Sequence, residues 1–194
     1  MNAAACRWQP SAGSDTVICM KLIPATTEQD LNRVRDLYMV SFPDSERKPF
    51  DMILAMHKTG NADILMMMDP DFSGLLITMK DDGLLLIDYL AVDPAIHSQG
   101  HGSRALTAFE ALYPGQRVVL EIENPDKAPE GSPERRRLSF YQNNGFSVMN
   151  TGIRLFDVPM KLLVRNGSVT YEDYKAFLIR RLGPWANEHI YPDD

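Results

Sequence analysis

Residues 84–112 read LLLIDYLAVDPAIHSQGHGSRALTAFEAL. An apolar run of strand type passes through a glycine-bearing turn, His97-Ser98-Gln99-Gly100-His101-Gly102-Ser103, and opens directly onto an amphipathic helix. Such a turn makes a phosphate cradle. Gly100 and Gly102 let the backbone approach an anion without Cβ obstruction, and the first amides of the helix, aligned with its dipole, supply the binding field.

Gly100-x-Gly102-x-x-Ala105 also fits the dinucleotide fingerprint, with Glu121 or Glu123 about 20 residues on where an acid would hold a ribose. That reading meets two obstacles. Asp93 to Gln99 intervene between the strand and the first glycine, and the chain beyond Glu123 offers one helix and then adjacent strands, not a series of strand–helix repeats. A nucleotide-triphosphate loop is weaker still, because no Gly-Lys-Ser/Thr follows.

The chain has 194 residues, of which 44% are hydrophobic and 24% charged, a balance that suits one folded domain with a sizeable core. Its net charge of −6 argues against a general nucleic-acid binder, which needs a basic field. Only Cys6 and Cys19 are present, so a disulfide framework or cysteine metal site is not expected and a reduced, cytoplasmic setting follows. The histidines His57, His97, His101 and His189 lack ligand spacing, and no metal is expected. No apolar run approaches the roughly 20 residues that span a bilayer. Residues 1–19 lack a secretory core and read as a flexible leader.

Hydrophobic spacing and punctuation predict the order of elements. A strand is expected at 20–23, and a helix from Thr27, with Leu31, Val34, Leu37, Tyr38 and Phe42 at helical spacing, stops at Pro43. A second helix spans 49–59 with Ile53 and Met56 inward. Strands follow at 64–68, 73–79 and 84–92, the last entered through Asp81-Asp82-Gly83. Ala105, Leu106, Phe109, Leu112 and Tyr113 form the stripe of the next helix, ahead of a strand at 118–123. A helix capped by Ser132 closes at Asn144-Gly145, two late strands lie at 146–150 and 153–164, and a last helix is capped by Thr170 with Asp173 three residues on.

The stretch Phe140-Tyr141-Gln142-Asn143-Asn144-Gly145-Phe146 adds a second motif. Gln/Arg-x-x-Gly-x-Gly/Ala after a strand, with Tyr-x-x-x-Gly-Phe further on, resembles the GNAT family of acetyl-CoA-dependent acyltransferases. The resemblance implies an α/β (α+β) fold, the GNAT acyltransferase fold, with a mixed central sheet flanked by helices. It covers residues 20–165. Residues 166–194 then form a helical extension packed on the same domain.

In that family coenzyme A rests its pyrophosphate on the turn and lays its pantetheine along the preceding strand. Carried over, Leu90, Ala91 and Val92 pair with pantetheine amides, and Gln99, Gly100, His101, Gly102 and Ser103 hold phosphate oxygens through backbone N–H groups. His97 stands where the family usually has Gln or Arg. Tyr141 matches the tyrosine that faces the sulfur and donates to the departing thiolate. Glu134 and Arg137 occupy places where the family often has Asn and Ala, which leaves the Asn contact unsupported. The run Arg135-Arg136-Arg137 offers partners for cofactor phosphates or an acidic substrate, with a solvated helix face as the expectation for at least two of the three.

Glu121 and Glu123 alternate with Val118, Leu120 and Ile122, which puts both carboxylates on one strand face, shared with Val119. Asp88 interrupts an otherwise apolar strand. Family bases often come from these two strands, and Glu121 is placed slightly ahead of Asp88, with a structural ion pair or hydrogen bond as the alternative for each. The connection of residues 42–49 offers Asp44 and Glu46 for an ammonium group. The implied activity is N-acetylation of a primary amine on a small molecule or peptide, with acetyl-CoA as cosubstrate, no nucleic acid, no membrane and a homodimer as an allowed assembly. The rival from another class is an acyl-CoA-binding sensor of the same fold without turnover.

Overall fold

The computed structural model describes residues 20–81 and 83–193, with Thr151 described by its backbone alone. The expected leader, 1–19, with both cysteines, lies outside the described residues. The described residues form two compact units, one within Met1–Thr78 and Tyr89–Pro114, the other within Met79–Asp88 and Gly115–Asp194. No helix among the described residues is long and apolar enough to cross a membrane.

In the first unit, β1 (Lys21–Pro24) is followed by α1 (Glu28–Ser41). Thr27 caps α1 by accepting from the Asp30 amide while the Asp30 carboxylate accepts from the Thr27 amide, 3.1 Å each way, so two amides that a helix start leaves orphaned are satisfied reciprocally. Val34, Leu37 and Tyr38 make its buried stripe. Helix α2 (Phe50–Lys58) buries Ile53 and Met56 as their spacing predicts. Strands β2 (Ala62–Met68), β3 (Phe72–Asp81) and β4 (Leu84–Val92) follow, and the strand order in this unit is β1-β2-β3-β4, with β1 antiparallel to β2.

A short 3-10 turn (Pro94–Ile96) leads to α3 (His101–Leu112). Its core face is Ala105, Leu106, Ala108 and Phe109, with His101 also buried, whereas Leu112, expected in the apolar stripe, is 43% exposed. Met20, Met67, Ala105 and Ala108 pack together, with Leu22, Leu90 and Val92 against them, and so seat the end of β4 on the start of the fold.

The second unit holds β5 (Val118–Glu123), α4 (Pro133–Asn143), β6 (Ser147–Leu155), β7 (Val158–Arg165), α5 (Tyr171–Leu182), α6 (Ala186–His189) and β8 (Ile190–Pro192). Its strand order is β3-β4-β5-β7-β6-β8. β4 and β5 are parallel, while β5–β7, β7–β6 and β6–β8 are antiparallel. The sheet is therefore mixed, and β5 is followed by antiparallel partners, which a doubly wound dinucleotide domain would not have.

Two expectations are corrected here. The late strands were expected at 146–150 and 153–164, but β6 runs on to Leu155 and the chain reverses at Phe156 and Asp157, whose φ values are 49° and 66°. Two consecutive left-handed residues make the tight reversal that fits a twisted hairpin. Phe is a poor signal for it, since non-glycine residues seldom adopt positive φ. The segment beyond 166, expected to be helical, also supplies β8, whose Ile190, Tyr191 and Pro192 pair with Leu155, Arg154 and Ile153.

Candidate active site

In the first unit, β4 ends where Asp93 N donates to Ser73 O at 2.9 Å, and the Asp93 carboxylate caps the 3-10 turn through the Ala95 amide at 2.9 Å. Ser98 at φ 65° and Gly100 at φ 80° then turn the chain into α3, and Gly100 is the residue that heads the helix. The first bond inside α3 is Arg104 N to Gly100 O, 3.1 Å. The amides of His101, Gly102 and Ser103 precede it, in the part of a helix that offers N–H groups to an anion. Gly102 lies within the first turn of α3, so close approach and not a left-handed backbone is what a side chain there would disturb.

The side chains around the turn serve the turn itself. His97 Nε2 donates to Val92 O at 2.9 Å, which fixes the ring proton on Nε2 and ties the loop back to the strand. His101 is buried, with Nδ1 3.1 Å from both Asp69 Oδ2 and Arg104 Nη2. Asp69, whose side chain is 3% exposed, also accepts from Arg104 Nε at 2.7 Å, and Arg104 Nη1 donates to Gln99 O at 2.9 Å. A carboxylate from the β2–β3 connection thus braces the first turn of α3. An Asp before a Pro between two strands reads as turn punctuation, and nothing local points to this partner.

Gly74 of β3 is a second unexpected support. A Cβ there would stand 2.3 Å from Ala91 O and 2.8 Å from Met67 Sδ, so β4 lies closer than any side chain would allow.

In the second unit, Tyr141 is half-buried on α4 and its carbonyl accepts from the amides of Asn144 and Phe146 at 3.0 and 3.1 Å. Its ring meets Phe146 edge-on at 5.6 Å, and Gly145, at φ 84°, allows that return of the chain. Burial pushes the Tyr141 phenol up to about 12, with Arg137 pulling the other way. Arg135 and Arg136 are spent on the preceding loop: Arg135 Nε donates to Ala128 O at 2.7 Å and Arg136 to Gly131 O.

Asp88 and Glu121 are brought together. The parallel pairs Leu85↔Val118 and Leu86↔Val119 lie three and two residues before Asp88 and Glu121, and both carboxylates act on Tyr174. Both are half-buried, and Oδ2 of Asp88 is inaccessible. Tyr174 of α5 completes the group: it is wholly buried and donates its hydroxyl to Glu121 Oε1. Burial first, and then the charges of Glu121 and Asp88, raise the Tyr174 phenol well above its ordinary value. Its place on the apolar stripe of α5 predicts a core aromatic; the carboxylate partner lies 53 positions away. Among the described residues no cluster of His, Cys, Asp and Glu has the makings of a metal site.

Solved acetyltransferase structures share this fold. A protein from Bacteroides thetaiotaomicron assigned to the GNAT acetyltransferases superposes with a TM-score of 0.71 at 23% identity, over 86% of this chain and 99% of that one. A Bacillus subtilis acetyltransferase in complex with CoA gives 0.53 at 15% identity over 77% and 99%. A GNAT family acetyltransferase from Elizabethkingia anophelis with acetyl-CoA bound gives 0.52 at 18% over 75% and 97%. No protein-family model and no curated protein matches the sequence. The likeness is one of fold, and the chain has the GNAT acetyltransferase fold.

Proposed function

We propose that the chain is an acetyl-CoA-dependent N-acetyltransferase that acetylates a primary amine of a small molecule or peptide, in the cytoplasm, with residues 20–165 as its catalytic region and 166–194 as an extension. The observation that carries this reading is the turn from β4 into α3, headed by left-handed Gly100, in a fold shared with structures that hold CoA or acetyl-CoA. The amides of residues 99–103 are the proposed phosphate contacts, and the backbone of Leu90, Ala91 and Val92 the proposed partner of pantetheine. His97 and His101 enter through the backbone, their rings being bonded to Val92 O and Asp69.

Acetyl transfer forms a C–N bond as the C–S bond breaks. The amine must shed a proton, and the departing sulfur must be stabilised or protonated. Tyr141 is the proposed donor to sulfur, and a phenol raised to about 12 remains protonated at neutral pH. Glu121 is the proposed acceptor of the amine proton, directly or through water, with Asp88 of β4 as the alternative. Acidic Asp44 and Glu46 lie on the connection proposed to meet the amine, though Asp44 is engaged by Arg47.

Thiol release from acetyl-CoA with a panel of primary amines tests the proposal. Release above the hydrolytic background is expected with at least one amine. Tight acetyl-CoA binding without release from any of them would replace catalysis by the sensor reading, and stabilisation by NAD but not acetyl-CoA would discard both. Gly100→Ala is expected to weaken acetyl-CoA on the order of tenfold, because a Cβ at φ 80° strains the turn and meets Arg104 Nη1 at 3.1 Å.

A further inference from the structure

We propose that Tyr174, from helix α5, is a positioning residue for acetyl transfer: its hydroxyl holds the Glu121 carboxylate in place and in its charged form. The inference rests on the reading of Glu121 as the proton acceptor. A phenol with no accessible surface reaches across from α5 to bond one carboxylate oxygen of a strand residue, and the charge of a second carboxylate, Asp88, also acts on that phenol. A neutral donor aimed at a carboxylate favours its ionised form without adding charge. A carboxylate fixed through one oxygen has lost a side-chain rotation that an exposed glutamate would have to lose on meeting substrate.

The helix is built to deliver this hydroxyl. Thr170 and Asp173 close a capping box at its start, and Tyr174 N donates to Thr170 O at 3.0 Å. At the far end Arg180 and Arg181 both bond Asp81. The helix is thus secured on either side of Tyr174. The other groups around Glu121 are Asp88 on β4 and Glu123 along β5; Leu162 and Met160 of β7, opposite Glu121 and Glu123, are apolar, and α4, which packs on β5, carries Arg137 and Tyr141. The Tyr174 hydroxyl bonds the Glu121 side chain.

The test is the pH profile of turnover. Tyr174→Phe keeps the ring and removes the donor, so the Glu121 proton is held more tightly and the acid limb of kcat should move to higher pH by about one unit. KM for acetyl-CoA should stay within about twofold, since no cofactor contact is touched. Placing 3-fluorotyrosine at position 174 strengthens the donor in a nearly unchanged shape and should move the limb to lower pH. A folded Tyr174→Phe protein with an unmoved limb overturns the proposal; if that variant does not fold, an unmoved limb in the fluorotyrosine protein does so. The carboxyl carbon resonance of Glu121, followed against pH in the free protein, must be displaced in the same directions and requires no turnover. Absence of thiol release by the unaltered protein with every amine would reject acetyl transfer itself, whereas release with an unmoved limb and an unmoved resonance would reject the role of Tyr174 alone.

Discussion

Gly74 of β3 and Ala91 of β4 approach so closely that a methyl group on the glycine would lie 2.3 Å from the alanine carbonyl oxygen. Ala91 is one of the three residues proposed to pair with pantetheine, so the contact links a strand interior to cofactor affinity. Gly74→Ala should cost about 1–3 kcal/mol, because the obstacle is backbone and Met67 Sδ closes the other side. Denaturant unfolding gives the first quantity and an acetyl-CoA titration the second, which should also weaken. A variant as stable as the parent would mean that β4 has slack that the contact denies.

Removing the Asp69 carboxylate tests the brace beneath the turn. Asp69→Ala strips partners from His101 and Arg104, and unsatisfied groups of this kind cost about 1–3 kcal/mol. Arg104 would still reach Gln99 O, so weaker acetyl-CoA binding should accompany lower stability without abolishing the fold. Binding by titration and melting by circular dichroism distinguish the two effects. Unchanged affinity would confine Asp69 to stability.

Tyr141→Phe should lower kcat by roughly 10²-fold while acetyl-CoA affinity barely moves. The wild-type rate should also show no alkaline limb from this phenol through pH 10: burial raises its pKa to about 12, so the protonated donor is lost only as pH nears that value. Full activity in the phenylalanine variant would leave Tyr141 as packing against Phe140 and Phe146.

Glu121→Gln should depress turnover most where the acceptor amine is charged, by roughly 10²-fold or more on general-base precedent, and part of the loss should return as pH rises and the amine arrives neutral. Rate against pH for Glu121→Gln and Asp88→Asn decides between the carboxylates. Recovery in the Asp88 variant alone would reverse their order, and recovery in neither would make both acids structural.

What the sequence disclosed follows the range of the interactions involved. The caps at Thr27, Ser132 and Thr170 are bonds across three positions, so these were legible residue by residue, whereas Gly100 reads only as a place without Cβ obstruction and its left-handed backbone is visible in the structure alone. The alternation in β5 showed Glu121 and Glu123 on one face. It did not show Tyr174, because a tyrosine at helical spacing looks the same whether its hydroxyl meets water or a carboxylate 53 positions back. Arg104 and Asp69, 35 positions apart, were hidden for the same reason. Phe156 misled in the opposite direction, since its aromatic ring suggests strand where the backbone turns.

Helix α5 is tied to earlier strands by bonds that span 53 positions at Glu121 and 99 and 100 at Asp81. The Asp81 links enclose loops about twice as long as those closed in the β5–β7 ladder, and the entropy of such a loop is lost before the contact repays it. During refolding the strands can therefore regain their hydrogen bonds while Glu121 still swings without its phenol. Recovery of turnover should lag recovery of sheet signal, and a chain that looks folded by its backbone is not yet one whose proposed base is held in place.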